Sequence, residues 1–360
     1  MKLLTIVGAR PQFIKAATLS RELRKDPEID ERILHTGQHF DANMSDIFFS
    51  ELGMDAPTYN LGIHATTHGA MTGRMMIEIE QVLMREKPDL ALVFGDTDST
   101  LAGALAAAKL HIPIAHVEAG LRSFNRAMPE EINRVVTDHV ADLLFAPTPT
   151  AVQNLQAENR PESSIIHCGD IMFDAALHAC AQVDEAAVLE TSRIEPKGYT
   201  LATLHRAENT DDPDRLLTWL RALNQAAEER PLLLPLHPRT RNRIDALGKV
   251  AADFPKIRFM DPVGYTTMAV LTKNAALVVT DSGGLQKEAY FHKVPGLILR
   301  NETEWVELVE SGWSQLVECN KDCLLEALKS VEPVAPWNSN LFGDGQTAQR
   351  VAGVVGSFLS

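Results

Sequence analysis

The feature that most constrains the fold of this chain is a repeated succession of short apolar strand, polar or glycine-containing turn, and amphipathic helix. In one clear example the apolar run 275–279 leads through Thr280-Asp281-Ser282-Gly283-Gly284 into the helix-forming Leu285-Gln286-Lys287-Glu288. Other strands are predicted at residues 1–7, 32–36, 90–94, 112–117, 143–146, 199–204, 232–236, 257–260 and 295–299. Strands that alternate with helices in this way predict parallel, doubly wound sheets, because parallel neighbours need a crossover helix.

The chain length indicates two domains. With 360 residues, the chain exceeds what one hydrophobic core usually serves. The polar stretch 158–164 marks the end of a first α/β domain, and a helix over 171–191 carries the chain across. We therefore predict domains over 1–170 and 171–345, facing a cleft, with a C-terminal helix over 346–360 that packs back on the first domain. The ligand crevice of such sheets lies at the carboxyl ends of the strands.

Composition excludes several classes of function. No apolar run reaches membrane-spanning length, and residues 1–7 form a strand rather than a signal peptide, so we expect no membrane insertion. The formal net charge of −14 argues against nucleic acid as a partner. The four cysteines form no zinc-like double pair, which favours a reducing cytoplasm. An anionic ligand would therefore need local arginine, histidine and helix-end donors.

The turn at residues 280–284 offers such donors. A strand, a tight glycine turn and a helix start bring backbone N–H groups and the positive end of a helix dipole to one place. Gly283 and Gly284 lack the Cβ atoms that would keep an anion away, and Ser282 adds a hydroxyl donor. Glu288, on the helix that follows, could accept hydrogen bonds from sugar hydroxyls. The same pattern also fits an ordinary turn with a serine N-cap.

A second anion-binding turn is predicted at Gly8-Ala9-Arg10-Pro11, after the first strand. It combines a glycine, a cation and a proline at a helix start, and Lys15 follows on the same helix. Arg10 also fits a surface position. The turn lacks the three-glycine spacing of a nicotinamide dinucleotide fingerprint, so NAD is not indicated.

Acidic residues and a histidine follow several predicted strands. Asp96 follows the strand 90–94, Glu118 follows 112–117, and Glu130 lies at a helix start. We expect these three carboxylates to converge in one crevice, where they could supply a proton donor and a proton acceptor. Asp96 as an N-cap and Glu130 as a first-turn acid are structural alternatives. His205 ends a strand of the second domain and, with Arg10, could bind an anion; a capping or core histidine is its alternative.

Six ordered motifs carry a family resemblance. They are Gly8-Ala9-Arg10-Pro11, Gly95-Asp96-Thr97, His116-Val117-Glu118-Ala119-Gly120-Leu121-Arg122, Pro129-Glu130-Glu131, Leu204-His205-Arg206-Ala207-Glu208-Asn209 and Thr280-Asp281-Ser282-Gly283-Gly284-Leu285-Gln286. In this order they resemble the non-hydrolysing UDP-N-acetylglucosamine 2-epimerases over residues 2–345. The resemblance implies two Rossmann-like domains of the glycosyltransferase-B type, a cytoplasmic homodimer, and neither a metal nor a nicotinamide cofactor.

The resemblance also implies a reaction and a set of site residues. UDP-GlcNAc would lose its C2 proton and UDP to give a 2-acetamidoglucal, and re-addition of UDP would give UDP-ManNAc. Asp96, Glu118 and Glu130 would be the acid/base carboxylates, with His205 near the diphosphate. The positions matching phosphate, sugar, ribose or uracil contacts are Arg10, Lys15, Ser282, Gly283, Gly284, Glu288, Val263 and Met268.

Local departures from the family pattern leave the substrate open. Glu304-Trp305-Val306-Glu307 stands where many bacterial members have Glu-Arg-Pro-Glu, so a substrate-contacting arginine is missing. The Thr-Glu-Trp version and the loop 123–128 resemble the branch that acts on UDP-2,3-diacetamido-2,3-dideoxy-glucuronate. A uronate needs a local cation, and Arg122 and Arg126 are the candidates. A glycosyltransferase that uses a UDP-sugar, and a catalytically silent sugar-nucleotide sensor, remain alternatives of other classes.

Overall fold

The computed structural model describes residues 1–38, 53–64, 67–249, 251–329, 335–338 and 340–359. The chain divides into two compact units, Met1–Ala175 with Ser339–Ser360, and Ala176–Asn338. Each unit contains a sheet whose strands are all parallel, so the prediction of two doubly wound α/β domains is confirmed. Within the described ranges, no helix is both long and apolar enough to span a bilayer. All four cysteines are free thiols.

The first unit contains a seven-stranded sheet of order β3-β2-β1-β4-β5-β6-β7. Its strands are β1 (Lys2–Val7), β2 (Asp30–His35), β3 (Tyr59–Asn60), β4 (Leu90–Phe94), β5 (Ile114–Val117), β6 (Leu143–Ala146) and β7 (Ile165–His167). Its helices begin with α1 (Arg10–Leu23), α2 (His68–Glu86), α3 (Asp98–Lys109), α4 (Pro129–Val140) and α5 (Pro149–Ala157), and a 3₁₀ turn covers Glu162–Ser164. The chain enters the second unit within α6 (Ile171–Ala181).

The second unit contains a six-stranded sheet of order β10-β9-β8-β11-β12-β13. Its strands are β8 (Thr200–Thr203), β9 (Leu232–Pro235), β10 (Ile257–Met260), β11 (Leu277–Thr280), β12 (Gly296–Ile298) and β13 (Ser314–Leu316). Its helices are α7 (Glu185–Ser192), α8 (Ala207–Thr210), α9 (Pro213–Ala226), α10 (Pro238–Ala246), α11 (Tyr265–Asn274), α12 (Gly283–Phe291), α13 (Val306–Glu310) and α14 (Lys321–Lys329), with a 3₁₀ turn at Ala251–Asp253.

The chain returns to the first unit and ends in α15 (Thr347–Leu359), which packs against α1. The start of this helix is held by Asp174, whose Oδ1 accepts from the Ala348 N–H at 2.9 Å. Nearby, the Asp170 N–H donates to the Phe342 carbonyl at 2.9 Å. The outgoing and returning segments are therefore hydrogen-bonded to each other within the first unit.

The sheets are buried in the way that parallel sheets require. Every residue of β4, from Leu90 to Phe94, is fully buried. Helices cover both faces of such a sheet, so its central strands are continuous apolar runs rather than alternating ones. This explains why these strands stand out in the sequence.

One prediction of secondary structure is wrong, and three strands were not predicted. The helix expected over 171–191 is two helices, α6 and α7, because Asp184 caps a new helix by accepting from the Ala186 and Ala187 N–H groups at 3.0 and 3.2 Å. The strands β3, β7 and β13 were not expected. Each has only two or three residues and lies at the edge of a sheet, where the hydrophobic signal is weak.

Candidate active site

In the first sheet, the strand order reverses between β1 and β4. Ligands of doubly wound sheets bind where the order reverses, outside the carboxyl ends of the strands. The turn with Arg10 follows β1, Asp96 follows β4, and Glu118 follows β5. The neighbouring strands β4 and β5 are in register, with Phe94 opposite Val117. The topology thus brings these strand-end residues to one edge of the sheet.

Glu118 is paired with Lys15 of α1. The Lys15 ammonium donates to the Glu118 carboxylate, and the two side chains are only 8% and 10% exposed. The backbone of Glu118 has φ = 73°, the left-handed region that non-glycine residues rarely adopt. Such conformations cost about 1–3 kcal/mol and cluster at functional sites. The fold therefore holds the backbone of Glu118 in an unfavourable conformation, and the buried ammonium of Lys15 fixes its carboxylate.

Gly95 makes room for the same ion pair. A Cβ on Gly95 would lie 3.3 Å from Glu118 Oε2 and 3.6 Å from Lys15 Nζ. Gly95 also has φ = 63°, which an L side chain would strain. The glycine that precedes Asp96 is thus required for both turn geometry and close approach.

Asp96 is paired with Arg134 of α4, which sequence reasoning did not select. One guanidinium nitrogen of Arg134 donates to Asp96 and another to Glu131 at 3.0 Å. Burial would lower the pKa of Arg134, but the charges of Asp96 and Glu131 outweigh it and hold the pKa above its usual value. The guanidinium therefore remains a cation that bridges two acids.

Glu131 anchors the loop that precedes α4. Its carboxylate accepts from the Ser123 N–H and hydroxyl, both at 2.9 Å, and from the Phe124 N–H at 3.0 Å. Burial would raise the pKa of Glu131, but these donors and Arg134 lower it below its usual value. The loop is consequently tied to the same guanidinium as Asp96.

A cavity of about 250 Å³ lies at this edge of the first sheet. Its polar lining residues are Gln12, Lys15, Gln38, His68, Asp96, Thr97, Asp98, Glu130 and Asn133. Glu130 is exposed in the first turn of α4. Glu118 accepts from Lys15, which lines the cavity. The structure thus brings Asp96, Glu130 and Lys15 into one cavity wall.

His68 is a further cavity residue that the sequence analysis did not identify. Its Nδ1 lies 2.8 Å from Asp98 Oδ2, and this hydrogen bond and the charge of Asp98 raise the pKa of His68. Asn133 donates to Asp98 Oδ1 at 3.2 Å and to the Asp96 carbonyl at 2.9 Å. Glu118 and Asp96 each contact a cation, Lys15 and Arg134, rather than another carboxylate.

Arg122 is not available as a substrate cation. Its guanidinium is buried, 2.7 Å from Asp138, and bonds both oxygens of Glu158 at 2.7 and 2.6 Å. Burial would lower its pKa, but these two acids raise it. The prediction of Arg122 as a uronate ligand is therefore wrong, whereas Arg126 is exposed in the loop before α4.

In the second sheet, the order reverses between β8 and β11. His205 follows β8, and Asp281 follows β11. The fully buried Asp281 accepts from the N–H groups of His205 and Arg206 at 3.0 and 2.9 Å, and from the Asn209 amide at 3.1 Å. The His205 side chain remains 36% exposed, with its ring centre 5.5 Å from that of His237. Asp281 therefore fixes the histidine loop and leaves the imidazole accessible.

The two glycines at the start of α12 differ in their surroundings. Ser282 is the N-cap, and its Oγ accepts from the Leu285 N–H at 3.4 Å, as the capping alternative predicts. A Cβ on Gly283 would lie 2.3 Å from Glu304 Oε1, whereas a Cβ on the exposed Gly284 would meet nothing within 4 Å. Open space at a helix start is therefore found at Gly284.

Glu304 lies close to this helix start, between two arginines. Arg300 donates to it at 2.8 Å, and Arg206 lies 3.8 Å away. Burial would raise the pKa of Glu304, but the charge of Arg300, with that of Arg206, lowers it. This edge of the second sheet thus already holds an anionic group of the chain.

The remaining predicted binding residues lie on α12 or at α11. Glu288 is buried on α12. Val263, just before α11, and Met268, on α11, are partly buried and pack against a core cluster that includes Leu201 and Leu271. Residues 263 and 268 thus pack against the same apolar cluster.

Comparison with known proteins identifies what this chain resembles. The family model described as UDP-N-acetylglucosamine 2-epimerase matches residues 21–356. A curated relative, the UDP-2,3-diacetamido-2,3-dideoxy-D-glucuronate 2-epimerase of Pseudomonas aeruginosa, is 51% identical over 356 residues, 98% of each chain.

Solved structures agree with the family model. The crystal structure of Methanocaldococcus jannaschii UDP-GlcNAc 2-epimerase in complex with UDP-GlcNAc and UDP superposes with a TM-score of 0.88 at 43% identity, covering 99% of this chain and 100% of that one. A more distant glycotransferase of kitacinnamycin, 13% identical with a TM-score of 0.59, covers 100% of this chain and 99% of its own, and shares the fold alone. The predicted glycosyltransferase-B type of fold is confirmed.

Proposed function

The chain belongs to the UDP-N-acetylglucosamine 2-epimerase family, and we propose that it inverts C2 of a UDP-linked 2-acetamido sugar by eliminating and re-adding UDP. In the first half, the C2–H bond breaks, its electron pair forms a C1=C2 double bond, and the C1–O bond to UDP breaks. In the second half, a diphosphate oxygen attacks C1 and a proton is delivered to the opposite face of C2. The reaction needs a proton acceptor, a proton donor and hydrogen-bond donors for the departing diphosphate.

The observation that carries this proposal is the arrangement of acids at the first sheet. Asp96 and Glu130 line one cavity, and Glu118 is held beside it by Lys15. We assign proton transfer at C2 to these three carboxylates. Pockets for whole drug-sized ligands usually measure about 300–1,000 Å³. A cavity of about 250 Å³ therefore suits one part of a sugar nucleotide, and we assign the sugar to it.

We assign the UDP moiety largely to the second unit. The open helix start at Gly284, with Ser282 and Gly283, supplies backbone donors and a positive dipole end for a diphosphate. His205 adds an accessible imidazole. Glu288 would accept from the ribose hydroxyls, and Val263 and Met268 would flank the uracil. Arg10 and Lys15 keep the phosphate and sugar contacts that the family resemblance implies.

We propose UDP-2,3-diacetamido-2,3-dideoxy-D-glucuronate as the substrate. Support comes from the 51% identity with the Pseudomonas aeruginosa enzyme of that name. The segment Glu304-Trp305-Val306-Glu307 agrees with this choice, because it resembles the branch that acts on this uronate. Trp305 stands where many bacterial members have an arginine, and the centre of its ring lies 3.9 Å from the Lys287 ammonium. UDP-GlcNAc is the second candidate, because the Methanocaldococcus jannaschii enzyme, 43% identical, is solved with that sugar nucleotide.

The substrate is tested by supplying purified protein with each UDP-sugar separately and following the C2 epimer by proton NMR. We expect kcat/KM for the diacetamido uronate to exceed that for UDP-GlcNAc by about a hundredfold or more. UDP-GlcNAc lacks the 6-carboxylate and the 3-acetamido group, so it loses the contacts that these groups make in the site. Efficient turnover of UDP-GlcNAc alone would contradict the uronate as the substrate and would identify the protein as a UDP-GlcNAc 2-epimerase. Epimerisation of neither would contradict the proposed substrates.

A further inference from the structure

His116 is a fully buried histidine whose two ring nitrogens both face acceptors. It lies on β5, two residues before Glu118. Its Nε2 is 2.7 Å from the Gly95 carbonyl, and its Nδ1 is 2.7 Å from Asp138 Oδ1. A carbonyl oxygen can only accept, so Nε2 carries a proton.

Asp138, on α4, is a carboxylate rather than a protonated acid. Its Oδ2 accepts from the Gly120 N–H at 3.0 Å and lies 2.7 Å from Arg122. Burial would raise the pKa of Asp138, but the charges and hydrogen bonds of His116 and Arg122 hold it below its usual value. Nδ1 of His116 therefore faces a carboxylate oxygen 2.7 Å away, while Nε2 donates to the Gly95 carbonyl.

The His116–Asp138 pair joins the two loops that carry the proposed acids. One end binds the carbonyl of Gly95, which immediately precedes Asp96, and the other binds the N–H of Gly120, two residues after Glu118. Gly95, Glu118 and Gly120 all have positive φ, at 63°, 73° and 81°. Glycine adopts this region readily, whereas Glu118 keeps it only where surrounding contacts hold it. The pair supplies contacts to both loops.

Gln12 extends the same connection to the loop after β1. Its Oε1 accepts from the Gly8 and Ala9 N–H groups at 2.7 and 3.0 Å, while its Nε2 donates to the Phe94 carbonyl at 2.7 Å. Buried polar side chains thus link three successive strand-end loops of the first sheet. A buried carboxylate usually adds little net stability after its desolvation, so fixing an arrangement is the better explanation of the pair.

We propose that His116 and Asp138 are positioning residues for the epimerisation, holding Asp96 and Glu118 at the separation that proton transfer needs. This rests on the proposed function of the three carboxylates. Misplacement of reacting groups by about 1 Å can lower rates by about a hundredfold. Loss of the pair should therefore lower kcat and leave substrate and UDP binding almost unchanged.

The test compares Asp138→Asn, Asp138→Leu and His116→Gln with the wild type, using circular dichroism to confirm folding. The asparagine oxygen can accept from Gly120 and Arg122, and its amide can donate to Nδ1 of His116, whose Nε2 still donates to Gly95. We expect Asp138→Leu and His116→Gln to lower kcat by about thirtyfold or more, with KM and the UDP Kd within about threefold. Asp138→Asn should retain kcat within about fivefold.

The matched control is Asp142→Asn. Asp142 is exposed and accepts from the Ile114 N–H at 2.8 Å, at the opposite end of β5. It should retain wild-type kcat. Folded His116→Gln with normal kcat, or equal losses in the two Asp138 variants, would overturn the positioning role. If Asp138→Leu does not fold, His116→Gln decides the matter. A wild type that epimerises neither UDP-sugar would contradict the proposed function as well.

Discussion

The carboxyl edges of the two sheets differ in what they present to a ligand. At the first edge, Glu118 and Asp96 each contact a buried cation from another element, Lys15 and Arg134. At the second, the buried Asp281 accepts from backbone and amide donors and lies 3.3 Å from His205 Nδ1, and Glu304 lies between Arg300 and Arg206. What distinguishes the second edge is its helix start, which presents open space at Gly284. Fixed carboxylates suit proton transfer, and an open helix start suits an anion, so the difference indicates a division of roles.

The largest expected effect is that of Glu118→Gln. The amide keeps the shape of the side chain but cannot accept the C2 proton, so kcat should fall by about a hundredfold or more while the UDP Kd is unchanged. Steady-state kinetics and calorimetry measure the two quantities. Glu185→Gln is the control, because Glu185 pairs with Lys273 in the second unit and should behave as wild type. Near-normal kcat would remove Glu118 from proton transfer.

Gly284→Val tests the second edge. A branched side chain would fill the open space where we place the diphosphate, so the UDP Kd should rise by about tenfold or more without unfolding. The control is Gly353→Val on α15, another helical glycine with nothing within 4 Å of an added Cβ. If calorimetry finds the same UDP affinity in both variants, the helix start is only an ordinary turn.

Arg126→Ala tests the specificity of the first edge, with a smaller expected effect. Arg126 is exposed in the loop tied to Glu131, and a uronate carboxylate needs a cation at short range. We expect the ratio of kcat/KM for the uronate over UDP-GlcNAc to fall by about fivefold, and no change for the exposed Arg221→Ala. An unaltered ratio would exclude Arg126 as the uronate ligand.

The smallest expected effect on activity is that of His292→Gln, because this substitution should change only how the stability of the protein depends on pH. Burial lowers the pKa of His292 from 6.5 to about 4, so the unfolded chain binds the additional proton between these pH values. Stability should therefore fall by at most about 3 kcal/mol as the pH drops from 6.5 to 4.

Urea unfolding midpoints across this pH range measure the effect. The slope should be weaker in His292→Gln and unchanged in His139→Gln, because His139 is exposed in the first unit. Equal slopes in wild type and His292→Gln would show that this histidine does not make the second unit acid-sensitive.

The sequence predicted the strand-end positions but not the pairings made there. Asp96, Glu118 and His205 follow short, fully buried strands of mostly apolar residues, and strand ends of parallel sheets are recognisable from one sequence. Lys15 and Glu118 are 103 residues apart, so their contact depends on the tertiary fold. The same dependence explains Arg122, which was predicted to be a loop cation and is buried between two acids.

The burial of the charged residues of α4 could not be predicted from its periodicity. Glu131, Arg134 and Asp138 recur at helical spacing on the buried face of this helix. Its apolar residues lie on another face, where Ile132 is exposed and Val135 and Val136 are only partly buried. A hydrophobic pattern alone therefore assigns the charged face to solvent, and the partners that bury Arg134 and Asp138 are supplied by the tertiary fold.

The most direct test of the account is deuterium incorporation at C2. Wild-type protein incubated with its UDP-sugar in D₂O should give an epimerised product that carries deuterium at C2, because the abstracted proton exchanges before the opposite face is protonated. The folded Glu118→Gln variant should still bind UDP but introduce deuterium at least about a hundredfold more slowly. An epimer formed without deuterium at C2, or equal incorporation by the variant, would contradict proton transfer at the first sheet.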